Sequence, residues 1–205
     1  MRRTAVTAIV LGLVAGSLAA PGRAGGKKNV TLYLHGREVV GEFELPETWL
    51  NANPMTMDGT KPKGQTRSRF ATNYVVGPNG ECSGNGLYPL WRGELRGTVT
   101  GNIKITVHTV ATPAAKLVLE LFPDATGGCN SAVSEDYIPP AASKTMDVPP
   151  GPGKVVAVIK NAKFKVAASL WLQVRIADQG TSPAQVRLLY DSPEAPSAIK
   201  LSVAR

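Results

Sequence analysis

Residues 169–203 read SLWLQVRIADQGTSPAQVRLLYDSPEAPSAIKLSV, and this stretch decides the fold. Apolar and polar side chains alternate in three successive runs with a period of two, which is the period of a half-buried strand. Gly, Ser and Pro residues separate the runs and favour turns between them. Three consecutive strands of this kind predict the end of a β-sandwich. Their inward positions are Leu170, Leu172, Val174, Ile176, Val186, Leu188, Tyr190, Ile199, Leu201 and Val203.

Composition extends this prediction to the rest of the chain. Of its 205 residues 43% are hydrophobic, enough for a sizeable core, while 16 Pro and 21 Gly interrupt any run long enough for a helix. We predict an all-β chain, a single β-sandwich or jelly roll of about ten short strands. The predicted division is a signal peptide at 1–24, an N-terminal hairpin and long loop at 25–69, and the sandwich at 70–205.

Local connections are predicted from the same alternation. The clearest hairpin in the middle of the chain joins residues 103–108 to residues 117–122. Three further short strands are predicted at 145–148, 155–159 and 162–166, with a Pro- and Gly-rich turn at 149–153 between the first two. Within residues 169–176, Leu172 and Arg175 fall on opposite strand faces. Leu172→Ala is expected to cost about 2 to 5 kcal/mol as a core truncation, whereas Arg175→Ala is expected to cost well under about 1 kcal/mol.

The N-terminus is typical of a signal peptide. Arg2 and Arg3 precede an apolar run at 5–14, and small residues follow, so cleavage near Ala20 or Ala24 is expected. The apolar run is much shorter than the roughly 20 residues of a membrane-spanning helix. The mature chain is therefore expected to be secreted without a membrane span, and association with the cell wall is an open alternative.

Two cysteines, Cys82 and Cys129, lie in Gly- and Asn-rich segments. An exported chain reaches an oxidising compartment, where a single pair of cysteines predicts one disulfide bond. The loop that this bond closes is worth on the order of 4 kcal/mol in the chain-entropy account. Metal binding by the two thiols is the weaker alternative, because no His lies near them.

The chain is basic, with 23 Lys and Arg against 15 Asp and Glu and a formal charge of +8. Without residues 1–24, 20 basic residues remain against 15 acidic ones, and the charge is +5. Lys154, Lys160, Lys163 and Lys165 lie close together in sequence. They form either a basic patch for an acidic polymer or, as we favour, the solvated faces of two neighbouring strands. No nucleic-acid motif accompanies them, so no nucleic-acid partner is expected.

No motif for catalysis occurs in the sequence. It lacks a Gly-x-Ser-x-Gly elbow, a His-Glu-x-x-His motif and a phosphate-binding loop. Only His35 and His108 are available as general bases, and neither lies near a nucleophile motif. A fold that brings either ring within hydrogen-bond reach of a Ser, Asp or Glu would favour an enzyme.

Three acidic residues in one predicted loop are the candidate metal ligands. Asp124, Glu135 and Asp136 supply carboxylate oxygens of the kind that calcium prefers. They lack an Asp-x-Asp spacing, and a solvated loop is the favoured alternative. No other cofactor is expected.

Two tryptophans are candidate ligand-binding residues. Trp171 falls on the strand face opposite Leu170 and Leu172, and an indole exposed there would stack on a sugar ring. The favoured alternative is that other side chains cover it, because an exposed Trp is costly. Trp49 lies in the predicted long loop, where it either contacts a ligand or packs as a lid over the core.

About half of the chain carries motifs that resemble a known family. The motifs are GTVTG at 97–101, AKLVLELFPD at 115–124, DVPPG at 147–151, LWLQV at 170–174, LLYDSP at 188–193 and PS at 196–197. They resemble the non-catalytic jelly-roll domain at the C-terminus of X-Pro dipeptidyl peptidases and related secreted actinobacterial hydrolases. In that family the chemistry belongs to a separate α/β-hydrolase domain, so the resemblance implies an accessory sandwich and no catalytic residue.

The sequence therefore predicts a secreted, non-catalytic β-sandwich. Its expected role is that of an accessory or binding module for an extracellular polymer, such as a carbohydrate of the cell wall, or for a protein. Two alternatives stay open. One is a small secreted hydrolase whose site only the fold assembles, and the other is a structural protein of the cell envelope.

Overall fold

The computed structural model describes residues 26–36, 55–73, 75–76, 82–83, 89–124, 138–177 and 185–205. The predicted signal peptide lies outside them. The described residues contain strands and turns and no helix, which confirms the all-β prediction, and none of them forms a helix able to cross a membrane. The strands are β1 (Lys27–His35), β2 (Met55–Asp58), β3 (Arg67–Asn73), β4 (Val75–Val76), β5 (Cys82–Ser83), β6 (Leu90–Glu94), β7 (Gly97–Thr112), β8 (Ala115–Pro123), β9 (Ala142–Val148), β10 (Gly151–Val166), β11 (Ser169–Ile176), β12 (Gln185–Tyr190) and β13 (Ala198–Ala204).

Eleven of these strands share one hydrogen-bonded network. The order is β3-β12-β7-β13-β1-β2-β6-β11-β8-β9, and β10 pairs with β7. Because β3 also pairs with β11, in parallel, the strands from β3 to β11 in this order form a closed circuit. One side of the sandwich, the β7 layer, consists of β7 with β10, β12 and β13. The other, the β11 layer, consists of β11 with β6, β8 and β9, and the β1–β2 and β3–β11 pairs join the two. Strands β4 and β5 form a separate small sheet.

The core lies between the two layers and is built by alternate side chains. Along β7, Val99, Ile103 and Ile105 point inwards and are fully buried. On the other side Leu172 and its alternating neighbours along β11 are buried against them, so the predicted inward face of β11 is confirmed. Roughly 2 kcal/mol per buried aliphatic side chain makes this interior the main source of stability.

The opposite face of β11 is also covered by side chains, as the favoured interpretation of Trp171 expects. Trp171 is only 9% exposed, and it packs with Leu90 and Phe122 in a second, smaller apolar cluster. Farther along the strand, the Arg175 side chain is 16% exposed and its guanidinium lies 3.1 Å from the Glu120 carboxylate, which is 1% exposed. Outward side chains of the neighbouring strands β6 and β8 therefore cover the outer face of β11, with Leu90 and Phe122 on Trp171 and Glu120 against Arg175.

The predicted hairpin of residues 103–108 and 117–122 is wrong. Strand β7 pairs with β10, β12 and β13, whereas β8 pairs with β11 and β9. The connection at Pro113 carries the chain from one layer to the other, and both strands present alternating apolar residues to the same core. The turn at 149–150 makes the same kind of crossing between β9 and β10. Alternation predicted each strand here but not its partner.

The N-terminal strands belong to the same network as the C-terminal ones. β1 pairs antiparallel with β13, from Lys27 opposite Ala204 to Tyr33 opposite Ala198, and also with β2. β2 continues the network to β6. Residues 37–54 of the predicted N-terminal hairpin and long loop lie outside the described residues.

Candidate functional site

A cleft of about 830 Å³ opens at the end of the sandwich where β1 and β13 approach β6. Residues from four separate parts of the sequence surround it, and we call it the basic cleft. Its lining consists of Lys28, Val30, Arg92, Glu94, Leu95, Arg96, Gly97, Ala168, Val203 and Arg205.

The floor of the cleft depends on a glycine. Gly97 has φ +129°, a conformation that side chains disfavour, and a Cβ there would lie 2.5 Å from Val203 Cγ1 and 2.6 Å from Ala204 O. The absence of a side chain lets the start of β7 lie close against the end of its neighbour β13. Beside it, the Leu95 amide donates to the Ala168 carbonyl at 3.1 Å, which fixes the turn before β11 against the segment that carries Arg96.

Charge on the cleft wall is strongly unbalanced. Among the described residues that line it, Lys28, Arg92, Arg96 and Arg205 are cationic and Glu94 alone is acidic. Guanidinium groups present a planar fork of donors that matches carboxylate and phosphate oxygens. A cleft with this lining is suited to an anionic group of a ligand, and its apolar floor at Val30 and Val203 suits the carbon skeleton beside that group.

Trp171 contributes to the cleft indirectly. Its ring is the direct cross-strand partner of Arg92, whose guanidinium carbon lies 5.4 Å from the ring centroid. The indole N–H donates to Ser169 Oγ at 3.1 Å, which fixes the ring plane. The interpretation that other side chains cover Trp171 is therefore confirmed by its burial, and an exposed stacking platform does not form. Trp171 instead holds an arginine that lines the cleft.

The carboxylate of Asp124, a candidate calcium ligand, is hydrogen-bonded to backbone amides. Its carboxylate accepts hydrogen bonds from the amides of Ala167 at 2.8 Å, Ala168 at 2.6 Å and Ser169 at 3.1 Å. The bonds from Ala167, assisted by those from Ala168 and Ser169 and by the charge of Lys165, outweigh partial desolvation and lower the pKa of Asp124. Asp124 thereby fastens the turn from β10 to β11 at the cleft.

The calcium site itself stays a prediction. Glu135 and Asp136 lie outside the described residues. Within the described ranges, no group of three or more His, Cys, Asp or Glu side chains is placed to hold a metal ion. Trp49 and Cys129 also lie outside these ranges, and only the backbone of Cys82 is described, opposite Val76 in the β4–β5 pair.

His35 lies in a second polar cluster, at the far end of β1. Its Nδ1 is 2.9 Å from Asp191 Oδ1, so the fold does bring a histidine within reach of a carboxylate. Its Nε2 lies 3.0 Å from the Thr60 carbonyl and 3.4 Å from Asp58 Oδ1. All three partners are hydrogen-bond acceptors and both ring nitrogens already lie against one of them, so neither nitrogen is placed to take a proton from a nucleophile.

The hydrogen bonds around His35 connect separate segments of the chain. The Gly36 amide donates to Asp191 Oδ2 at 3.3 Å, and Arg67 donates to the Gly36 carbonyl. Burial acts to raise the pKa of Asp58, but hydrogen bonds from Thr60 and the proximity of His35 outweigh it and hold that pKa below its usual value. The cluster joins the end of β1 to the segment after β2 and to the end of β12.

The four lysines noted in the sequence lie on one strand, not on two neighbouring ones. All of them are exposed on β10, because residues 151–166 form a single strand with an irregularity between Ile159 and Ala162. His108 lies opposite Lys154 on the neighbouring β7 and is half-buried. Burial, together with the charge of Lys154, lowers the pKa of His108.

The architecture matches solved structures of larger proteins. A CocE/NonD family hydrolase from Staphylococcus aureus gives a TM-score of 0.54 at 9% identity, over 87% of this chain and 37% of that one. An α-amino acid ester hydrolase gives 0.51 at 13% identity over 85% and 36%, and an aminopeptidase from a marine sediment archaeon, Thaumarchaeota archaeon, gives 0.52 at 10% over 87% and 37%. This chain therefore shares its fold with a part of each of these hydrolases.

The extent of these matches is itself informative. This chain spans little more than a third of the length of each hydrolase. At such low identity the likeness is one of fold. No family model and no curated protein matches the sequence.

Sequence reasoning missed the basic cleft. Its cations come from Lys28, from the segment 92–96 and from Arg205, which are distant in the chain and meet only through the β1–β13 and β6–β11 pairings. One local signal was available. The segment WRGELRG at 91–97 places Arg92, Glu94 and Arg96 within five residues at a strand end, beside two glycines.

Proposed function

We propose that this chain is a secreted, non-catalytic accessory β-sandwich that binds an anionic group of an extracellular polysaccharide in the basic cleft. The observation that carries the proposal is the cleft lining, whose described residues include four cations, Lys28, Arg92, Arg96 and Arg205, and one glutamate. Arginine forks are the groups best suited to a carboxylate on a sugar ring.

The likeness to hydrolases supports an accessory role. The chain matches about 37% of a CocE/NonD hydrolase, and its own sequence contains no nucleophile elbow. The motifs shared with the jelly-roll domain of X-Pro dipeptidyl peptidases point in the same direction. Export, for which the basic and apolar N-terminal segment argues, would bring the cleft to the cell wall.

Calorimetric titration of the secreted protein with polygalacturonate, and with neutral dextran for comparison, tests this function. We expect binding of the uronate polymer and none of dextran. Arg96→Gln should weaken the binding about five- to tenfold, as loss of one charged hydrogen-bonding group does. Lys116→Gln, on an exposed position of β8, is the matched control and should leave it unchanged. Equal binding of dextran, or equal loss in both variants, would overturn the proposal.

A hydrolase is the second candidate, and the 2.9 Å approach of His35 to Asp191 is the observation in its favour. In such an enzyme Asp191 would orient the ring, and Nε2 would have to turn from the Thr60 carbonyl to a nucleophile. Hydrolysis of p-nitrophenyl acetate above the buffer rate, abolished by His35→Gln, would support it. A rate equal to buffer would reject it.

A further inference from the structure

Positive charge is segregated to one side of the sandwich. Strands β1, β7, β10 and β13 contain eight lysines and no Asp or Glu. Strands β6, β8 and β9, in the other layer, mix both signs, as at Lys116 and Asp147, which are direct partners. We call the outer surface of β1, β13, β7 and β10 the lysine face. Its exposed lysines are Lys27, Lys104, Lys154, Lys160, Lys163, Lys165 and Lys200.

Two of these lysines face each other across the middle of the sheet. Lys104 of β7 and Lys200 of β13 are direct cross-strand partners, and both are exposed. Direct partners lie about 5 Å apart, and like charges in that position are destabilising. No acidic residue of these four strands relieves the repulsion. The arrangement costs the free protein stability, and an anion bound over the pair would remove that cost.

Protection of a sheet edge against aggregation does not explain all lysines of the lysine face. Lysines on an edge strand discourage aggregation, and β10 pairs with β7 alone among the described strands, so its four lysines have that explanation. Lys104 and Lys200, however, lie on strands that are paired on both sides. A lysine on a central strand protects no edge.

The residue types indicate the ligand. The exposed cations of these strands are all lysines, compact charges that bind phosphate without the planar geometry of an arginine fork. Three of them, Lys160, Lys163 and Lys165, follow one another along β10. Between Lys154 and Lys160 the exposed apolar side chains are only Val156 and Val158, at about 41% and 40% exposure, and no tryptophan or phenylalanine is available on this strand segment to enter a lipid layer.

We propose that the lysine face is a docking surface for a linear, phosphate-bearing polyanion, which lies along β10 and across the Lys104–Lys200 pair. The surface is separate from the basic cleft, and the proposal holds whether or not the cleft binds a uronate. Affinity comes from charge density, so it falls steeply as salt rises.

The test uses the secreted protein and inorganic polyphosphate as the probe, with affinity measured from about 50 to 300 mM salt. The variant Lys104→Thr/Lys200→Thr removes the central pair. We expect its affinity at low salt to fall about two- to fivefold for each lysine. The slope of log affinity against log salt should decrease by about 1 for each lysine. Because the variant also removes a repulsion, its melting temperature should equal or exceed that of the unchanged protein.

The matched control is Lys116→Thr/Lys144→Thr, at exposed positions of β8 and β9 in the other layer. It removes the same net charge and should leave the salt slope unchanged. Equal loss in both double variants, or tight binding to phosphatidylglycerol vesicles without binding to polyphosphate, would overturn the proposal. If the variant Lys104→Thr/Lys200→Thr has a lower melting temperature than the unchanged protein, the affinity and salt slope are measured on the single variants Lys104→Thr and Lys200→Thr instead.

Discussion

The guanidinium of Arg92 lies 5.4 Å from the centre of the Trp171 ring, and the two residues are direct partners across β6 and β11. This contact links the second apolar cluster of the protein to the wall of the basic cleft. The ring is fixed by its bond to Ser169, so the arginine that stacks on it has a defined position. A preorganised cation loses less conformational entropy when it binds an anion than a free one does.

Replacement of Trp171 by Leu should separate packing from cation positioning. Leucine retains most of the apolar contact with Leu90 and Phe122, but it offers no π face to Arg92. We expect uronate affinity at the cleft to fall about two- to fivefold, the equivalent of 0.5 to 1 kcal/mol. The control is Phe70→Leu, since Arg187 stacks on Phe70 at 4.9 Å far from the cleft. Calorimetry should show no change in the control, and an unchanged affinity in Trp171→Leu would remove the positioning role.

Arg175→Ala tests the covered outer face of β11. The sequence predicted a cost well under 1 kcal/mol, but the structure places the guanidinium 3.1 Å from a Glu120 carboxylate that is almost wholly buried. Loss of a charged partner from a buried carboxylate should cost about 1 to 3 kcal/mol. Leu172→Ala, a truncation in the main core, should still cost about 2 to 5 kcal/mol. Urea unfolding measures both, and a cost below 0.5 kcal/mol for Arg175→Ala would contradict the ion pair.

The sequence predicted the strands of this protein better than their partners. Alternation identified the inward residues of β11 because that pattern is local. It did not reveal that β7 and β8 lie in different layers, since alternation is identical whichever strand lies alongside. The Lys104–Lys200 pair and the Arg92–Trp171 stack depend on register between distant segments, and no local pattern encodes register. The basic cleft was missed for the same reason, whereas the lysines of β10 were visible because they share one strand.

Asp124→Asn should weaken the turn between β10 and β11. An amide retains one acceptor oxygen but not the charge, so the expected cost at pH 7 is about 1 to 2 kcal/mol. The backbone donors of the turn lower the folded pKa of Asp124 below its unfolded value. Its contribution to stability is therefore complete above about pH 4 and is lost as the pH falls through the folded pKa.

The pH dependence provides the control for this variant. The difference in unfolding free energy between the unchanged protein and Asp124→Asn should shrink from about pH 4 downwards. Asp147→Asn, at an exposed position of β9, is the control for removal of one carboxylate at another site. A gap that is constant down to pH 2 would show that the carboxylate charge is irrelevant to the turn.

Gly97→Ala should distort the floor of the basic cleft. The added methyl group would meet Val203 and the Ala204 carbonyl, and the residue would keep a φ near +129° that alanine disfavours. A cost of about 1 to 3 kcal/mol and weaker uronate binding are expected. Gly153→Ala on β10 is the matched control, because nothing lies within 4 Å of its added Cβ and its φ is ordinary. Thermal unfolding that is the same for both variants would contradict the close approach.

The disulfide prediction can be tested directly on the secreted protein. Cys82 lies in β5, outside the eleven-stranded network, so a covalent bond to the segment of Cys129 would anchor the small sheet that it forms with β4. Peptide mapping by mass spectrometry without reduction should show the two cysteines joined, and Cys82→Ser should lower the unfolding free energy by about 2 to 4 kcal/mol. Cys129→Ser should lower it by the same amount, and the double variant by no more, because either change removes the same loop constraint. Two free thiols, or additive losses in the double variant, would show that the cysteines act separately.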